Sequence, residues 1–388
     1  MNPEDGAVGA VDLPADGEGL SADNHTDDAE GKARSVKASD EVPVHDLNVQ
    51  RRLSLPRFVE DWQTSGRLSR FAERYALLVA WAVLIGVFGV LSPNIFLSSA
   101  NFSSIFGSQA VLVVLTLGLL VPLTAGDYDL SIAAVLSLAA METAALNVNL
   151  HWPLAAAIAC ALASGIVVGL VNGSLVGLTG LDPLIITLGT GTVVNGLVLL
   201  IGNAQSISGV DPVLSQYVVV DRLFGIPLEF YYGLAVAAVV WYVFEYTPVG
   251  RRLLFVGKSR QVSRLTGLHV GRLRLAAMAT SGGVSALAGV MYVGTTGGAD
   301  PISGQSLLLP AYAAAFLGAA AIRPGRYNAI GSLVAVYFLV TGITGLEILG
   351  AQSYVQYLFY GGALVCALAL AELVRRRPIA SLRARRGR

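Results

Sequence analysis

The stretch Gly250-Arg-Arg-Leu-Leu-Phe-Val-Gly257-Lys258-Ser259 ends in Gly-Lys-Ser, the triplet that closes a phosphate-binding loop. That chemistry needs a glycine at position 252, where it makes the turn that aims backbone N–H groups at phosphates. Position 252 is arginine, Gly250 falls too early, and no Val/Ile-rich strand leads into the segment. The spacing therefore argues against a nucleotide site. Two acids are better placed, in Thr124-Ala-Gly-Asp127-Tyr-Asp129-Leu-Ser131, where a polar break interrupts a long apolar run. Ionisable groups at membrane depth are costly and mark functional candidates, and Glu142, Glu347 and Glu372 share that property at expected span ends. Asp127, Asp129 and Ser131 also suit the N-cap of a broken or re-entrant helix, a role that overlaps with lining or gating a pathway.

Other chemistry is sparse. His25 and His45 lie in the N-terminal stretch, and His151 beside Trp152 suits anchoring at a membrane edge. The sequence has no His-Glu-x-x-His spacing. Cys160 and Cys366 fall inside apolar runs, where a lone cysteine is expected as a small buried hydrophobe rather than a disulfide, metal ligand or nucleophile. A hydrolase would bring nucleophile, base and acid to one depth, and no such convergence is visible. The expectation is a non-enzyme with no catalytic residue, cofactor or metal site, and no nucleic-acid partner.

The elements that must position these residues are apolar. Hydrophobic residues make up 54% of the 388, charged residues only 13%, and the mean hydropathy is +0.64. A typical soluble chain carries about 25% charge, so this is a membrane protein. The zero net charge conceals segregation. Residues 1–50 hold twelve Asp/Glu against three Lys/Arg and no aromatic residue, and read as a disordered acidic extension. Residues 51–74 form a basic juxtamembrane segment with six arginines, and residues 375–388 a basic cytoplasmic tail with seven. No basic-then-apolar signal opens the chain, and the first long apolar run, near Tyr75, reads as an uncleaved signal anchor.

A span needs about 20 apolar residues. Ten segments qualify: 75–92, 104–124, 128–147, 153–177, 183–202, 228–246, 275–296, 307–322, 329–347 and 354–374. The 247–275 loop carries seven Lys/Arg plus His269 and no acid, so the positive-inside rule places it, the tail, Arg323 and Arg326 in the cytoplasm. The expected fold is an all-α, polytopic transmembrane helical bundle of about ten spans, both termini cytoplasmic. Within it Gly165, Gly169, Gly173 and Gly177 repeat every fourth residue, a groove for close helix approach. Ser281, Ser285 and Gly289 form a similar small-residue ridge.

Several segments resemble one family, the permease subunits of ribose-type sugar ABC importers, grouped with branched-chain amino-acid permeases. Leu123-Thr-Ala-Gly126-Asp-Tyr-Asp129-Leu-Ser131 resembles its Gly-Gly-x-Asp-Leu-Ser segment. Gly169-Leu-Val-Asn172-Gly173 and Pro183-Leu-Ile-Ile-Thr187-Leu-Gly189-Thr190 resemble two further signatures. Thr247-Pro-Val-Gly250-Arg251 through Gly257 to Gly267 resembles the cytoplasmic loop of short helices that sits in a groove of a separate ATPase. Leu309-Pro310-Ala-Tyr-Ala-Ala-Ala-Phe-Leu-Gly318 and Gly342-Ile-Thr-Gly345-Leu resemble the last third. The chain departs from the pattern at Ala125, the extra acid Asp127, Lys258-Ser-Arg260, Arg323-Pro-Gly325-Arg-Tyr-Asn328 and the acidic extension.

The resemblance implies a permease domain over 75–374, similar to type II ABC importer permeases, in a bacterial inner membrane. It implies four kinds of partner: an ABC ATPase subunit, a second permease subunit, an extracytoplasmic sugar-binding protein and membrane lipid. Gly250, Arg251, Gly257 and Gly267 would belong to the ATPase-coupling loop. Asp127, Asp129, Ser131, Asn172, Thr187 and Asn195 are candidates for the pathway or gate, and the 203–227 and 297–306 loops for binding-protein docking. An ion-coupled secondary transporter using Asp127 and Asp129 is the alternative.

Overall fold

The computed structural model describes residues 68–369. The acidic extension, most of the basic juxtamembrane segment, Glu372 and the basic tail lie outside the described residues. The described chain is helical: α1 (Leu68–Leu91), α2 (Pro93–Phe96), α3 (Ser99–Ser108), α4 (Ala110–Thr124), α5 (Ile132–Ala144), α6 (Leu154–Thr179), α7 (Pro183–Ile201), α8 (Pro212–Ser215), α9 (Leu228–Tyr246), α10 (Pro248–Lys258), α11 (Arg260–Leu265), α12 (Val270–Thr296), α13 (Gln305–Ala320), α14 (Ala329–Ile348) and α15 (Tyr354–Ala369). A π-helical turn, Ala145–Asn149, prolongs α5. Ten apolar stretches coincide with the expected spans. Eight are long and apolar enough to cross a membrane, while α13 and α15 are shorter.

Local sequence sets the helix ends. Asp182 accepts from the Leu184 N–H ahead of Pro183, and Asn328 accepts from the Gly331 N–H, each satisfying a donor the first turn leaves free. Helix α4 is apolar on every side and buried along its whole length, as a helix with no polar stripe must be. Around it pack α9, α12 and α13, while α5 lies between α6, α7 and α12.

The glycine groove is used as expected over most of its length. Cβ atoms on Gly165, Gly169 or Gly173 would collide with Gly282 and Ala286, with the Met278 carbonyl, or with the Leu275 backbone, whereas Gly177 faces open space. The ridge on α12 answers it. Gly282 lies against the Gly165 carbonyl, and Gly289 against that of Leu136 on α5. Small residues here remove side-chain bulk so that backbones touch and dispersion contacts accumulate.

Loops segregate to two ends. At one end Arg323 pairs with Glu245, the Ile322 N–H donates to the Arg74 carbonyl, and Arg260 reaches Asp127, gathering the ends of α4, α9 and α13 with α11. This is the basic end. At the other, Ile207–Ser208 pairs antiparallel with Gly298–Ala299, and the Asp211 N–H donates to Asn147.

Two expectations fail outside the site. Cys160 and Cys366 are exposed on the bundle exterior rather than buried, because both sit on outward faces of apolar helices. Glu142 is not a solvent-facing span end: it is half-buried within α5 and accepts a hydrogen bond from Ser164 on α6 at 2.5 Å. Glu347 does lie exposed near the end of α14, with a hydrogen bond from Gln356.

Candidate functional site

The break at 125–131 is made by the end of α4, not by an N-cap on α5. The Asp127 N–H donates to the Pro122 carbonyl and the Gly126 N–H to that of Leu123, with Gly126 at φ +80°. This is a Schellman ending, and the left-handed residue it requires is the glycine. Helix α5 then starts after Ser131, whose side chain caps nothing. Asp127 and Ser131 therefore do not cap α5, whereas Asp129 does accept from a backbone N–H at its start, that of Ser131.

Asp127 is fully buried and bound by two arginines. Arg274 reaches it as a fork, Nε to Oδ2 at 2.7 Å and Nη2 to Oδ1 at 2.8 Å. Arg260 donates to Oδ1 at 2.6 Å and to the Gly126 carbonyl at 2.9 Å. Arg274 belongs to α12, which begins at Val270 rather than at 275, and its side chain is 10% exposed. Burying a carboxylate is costly, and a bidentate guanidinium is the partner that satisfies it best.

Asp129 anchors a second network. Its Oδ1 accepts from the Ser131 N–H (3.1 Å) and Oγ (2.6 Å), and its Oδ2 from Ser281 of α12 (2.7 Å). The bonds from Ser131 and Ser281 satisfy a carboxylate that burial has stripped of water. Ser131 Oγ in turn accepts from Asn172 of α6 (2.8 Å), whose Oδ1 accepts from Thr190 of α7 (2.5 Å). Thr187 Oγ1 accepts from the Leu130 N–H at 3.0 Å and lies 3.3 Å from the Tyr128 carbonyl.

Five of the six candidate pathway residues thus converge on one turn. Asn195 does not join them: it lies further along α7, half-buried, with its Oδ1 unpartnered among the described residues. Sequence reading missed Arg274, Arg260, Ser281 and Thr190. One signal was available, because seven cations in 247–275 with no acid need a counter-charge from elsewhere.

The 247–267 segment is built against this turn. Helix α10 starts at Pro248 after Thr247, whose Oγ1 accepts from the Gly250 N–H, and α11 starts after Ser259, which accepts from the Val262 N–H. Gly250 lies flat on Val243 and Phe244, and Gly257 on the Thr124 carbonyl. Gly267 differs: it turns the chain at φ +80°, and a Cβ added there would meet open space. Leu253 and Val256 point inward, leaving Arg251, Arg252, Phe255, Lys258, Val262 and Leu265 exposed as a mixed basic and apolar surface.

Comparison with known proteins agrees with this architecture. The family model described as "Branched-chain amino acid transport system / permease component" matches residues 101–368. The D-allose transport system permease protein AlsC of Escherichia coli (strain K12) is 30% identical over 304 residues, covering 78% of this chain and 93% of that protein. The ribose import permease protein RbsC of Bacillus subtilis (strain 168) is 29% identical, covering 74% and 89%. The autoinducer 2 import system permease protein LsrD of Photorhabdus laumondii is 29% identical, covering 77% and 91%. No solved structure matches. These relatives are transport permeases rather than enzymes, and they lend no support to an ion-coupled carrier. With both oxygens of Asp127 held by guanidinium groups, little remains there for an ion to bind. The chain therefore belongs to the branched-chain amino acid transport system permease family and is a multi-pass membrane permease subunit of an ABC importer.

Proposed function

We propose that this subunit forms, with a second permease subunit, the pathway by which a bacterial inner membrane imports a monosaccharide such as ribose, xylose or a related sugar. An extracytoplasmic binding protein delivers the sugar on the face of the 203–227 and 297–306 loops. An ABC ATPase docks on the exposed side of α10 and α11, with Arg251 at its rim. The observation that carries the reading is the double pairing of Asp127, which joins that segment through Arg260 and α12 through Arg274 to a single buried carboxylate. Displacement of α11 by the ATPase would pull on the 125–131 turn, and the Asp129 and Ser131 network would pass the motion to α6, α7 and α12 as rigid bodies. The names of the relatives support the substrate class, since allose, ribose and fructose permeases are among them.

The test is extraction of the C-terminally tagged chain from its native membrane in mild detergent. An ATPase recovered at near one-to-one ratio, and lost on Arg251→Glu and Val262→Asp substitution together, is the expected result. A chain that purifies alone and drives proton-coupled flux of labelled ribose or allose in liposomes would overturn the reading.

A further inference from the structure

Two cavities outside the polar network meet at Leu273. One is an apolar groove of about 440 Å³ between α9 and α12, floored by Val121 and lined by Val239, Val243, Ala276 and Val284. The other, about 320 Å³, lies at the basic end and is framed by Arg252, Gly267, Leu268, His269 and Arg272. Along α12 the groove spans Leu273 to Val284 on one face, which at the helical rise is about 16 Å. Half the hydrocarbon core of a bilayer is about 15 Å. The groove therefore has the length of one leaflet, and the cations stand at its mouth.

Those cations are uncommitted. Arg260 and Arg274 are held by Asp127 and Arg323 by Glu245, whereas Arg252 and Arg272 are exposed and have no acidic partner among the described residues. Basic pockets between membrane helices attract anionic headgroups, each cation contributing through the surface potential.

We propose that this composite site binds one anionic phospholipid, one of its two acyl chains in the α9–α12 groove and its headgroup phosphate against Arg252, His269 and Arg272. An ATPase docks from water and leaves a groove of this depth empty; a lipid fills both halves. Arg252 also belongs to the exposed face of α10 on which the ATPase is proposed to dock, so the lipid site rests on that reading through this one residue, while His269 and Arg272 lie outside α10 and α11.

The full-length chain is placed in phosphatidylcholine nanodiscs, titrated with phosphatidylglycerol of matched acyl chains, and its retained lipids are counted by native mass spectrometry. One phosphatidylglycerol per chain is expected in preference to phosphatidylcholine, unaffected by excess inorganic phosphate. Arg252→Gln and Arg272→Gln should each weaken retention about fivefold. Val239→Trp, which fills the groove without touching charge, should lower retention as well. Equal retention of the two lipids, unchanged binding in the double arginine variant, displacement by free phosphate, or a second copy of the chain in place of lipid would each overturn the assignment. So would a double variant that keeps its lipid and loses only the ATPase, because the cations would then belong to the protein partner.

Discussion

Arg274 grips Asp127 with two nitrogens, at 2.7 and 2.8 Å, from 147 residues further along the chain. The pair closes the basic end of the bundle by joining the first turns of α12 to the end of α4, and Arg260 brings α11 to the same carboxylate. The two arginines are not equivalent. The Arg260 side chain is 40% exposed, whereas that of Arg274 is 10% exposed.

Removing Arg274 should therefore cost far more than removing Arg260. An ion pair open to solvent contributes about 0.2–1 kcal/mol, while leaving one member of a buried pair alone costs about 3–5 kcal/mol. Thermal unfolding of the detergent-solubilised chain should show a large fall for Arg274→Gln and a small, salt-sensitive one for Arg260→Gln. Equal shifts would contradict the burial argument.

Glycines of the 247–267 segment should separate by what lies against them. Gly250→Leu and Gly257→Leu put side chains into the α9 backbone and the Thr124 carbonyl, so uptake by the assembled transporter should fall while the chain still reaches the membrane. Gly267→Ala meets no atom and incurs only left-handed strain, about 1–2 kcal/mol. Labelled-sugar uptake normalised to membrane abundance measures the difference.

The α6 groove offers a matched contrast. Gly169→Leu should disrupt packing against Met278 and Ala279 and sharply reduce the folded fraction, whereas Gly177→Leu, which faces open space, should be tolerated. Gel-filtration profiles in detergent would show aggregation of the first variant only.

Ser281→Ala removes a donor to the buried Asp129 carboxylate, and leaving such an acceptor underserved costs about 1–3 kcal/mol. Asn195→Ala takes away a side chain whose oxygen already lacks a partner, so its effect on stability should be near zero. Comparing the two by thermal unfolding separates membership of the network from mere proximity to it.

Helices were legible in the sequence because a bilayer imposes length and apolarity on each one, so all ten apolar segments reappear within a few residues. The glycine groove was legible for a related reason: spacing of four residues fixes one helix face. The polar site was half legible. Asp127 and Asp129 stood out against apolar surroundings, but their partners lie on helices far away in sequence, and no local pattern encodes a contact between Asp127 and Arg274. The break at Gly126 was misread because Asp and Ser are common N-caps, while the deciding feature was the glycine ending α4. Asn195 resembled its neighbours in residue type alone, and its position along α7 takes it away from the turn.

The measurement that bears most directly on the account is the coupling ratio of the Asp127→Asn variant, reconstituted in liposomes with its ATPase and binding protein. ATP hydrolysis and labelled-sugar flux are recorded together. If the Asp127 clamp carries motion from the coupling segment into the bundle, hydrolysis should persist while sugar moved per ATP falls about tenfold or more, the equivalent of about 1.4 kcal/mol of lost coupling. A variant that assembles normally and keeps the native ratio would show that the clamp is structural and that the motion enters the membrane by another route.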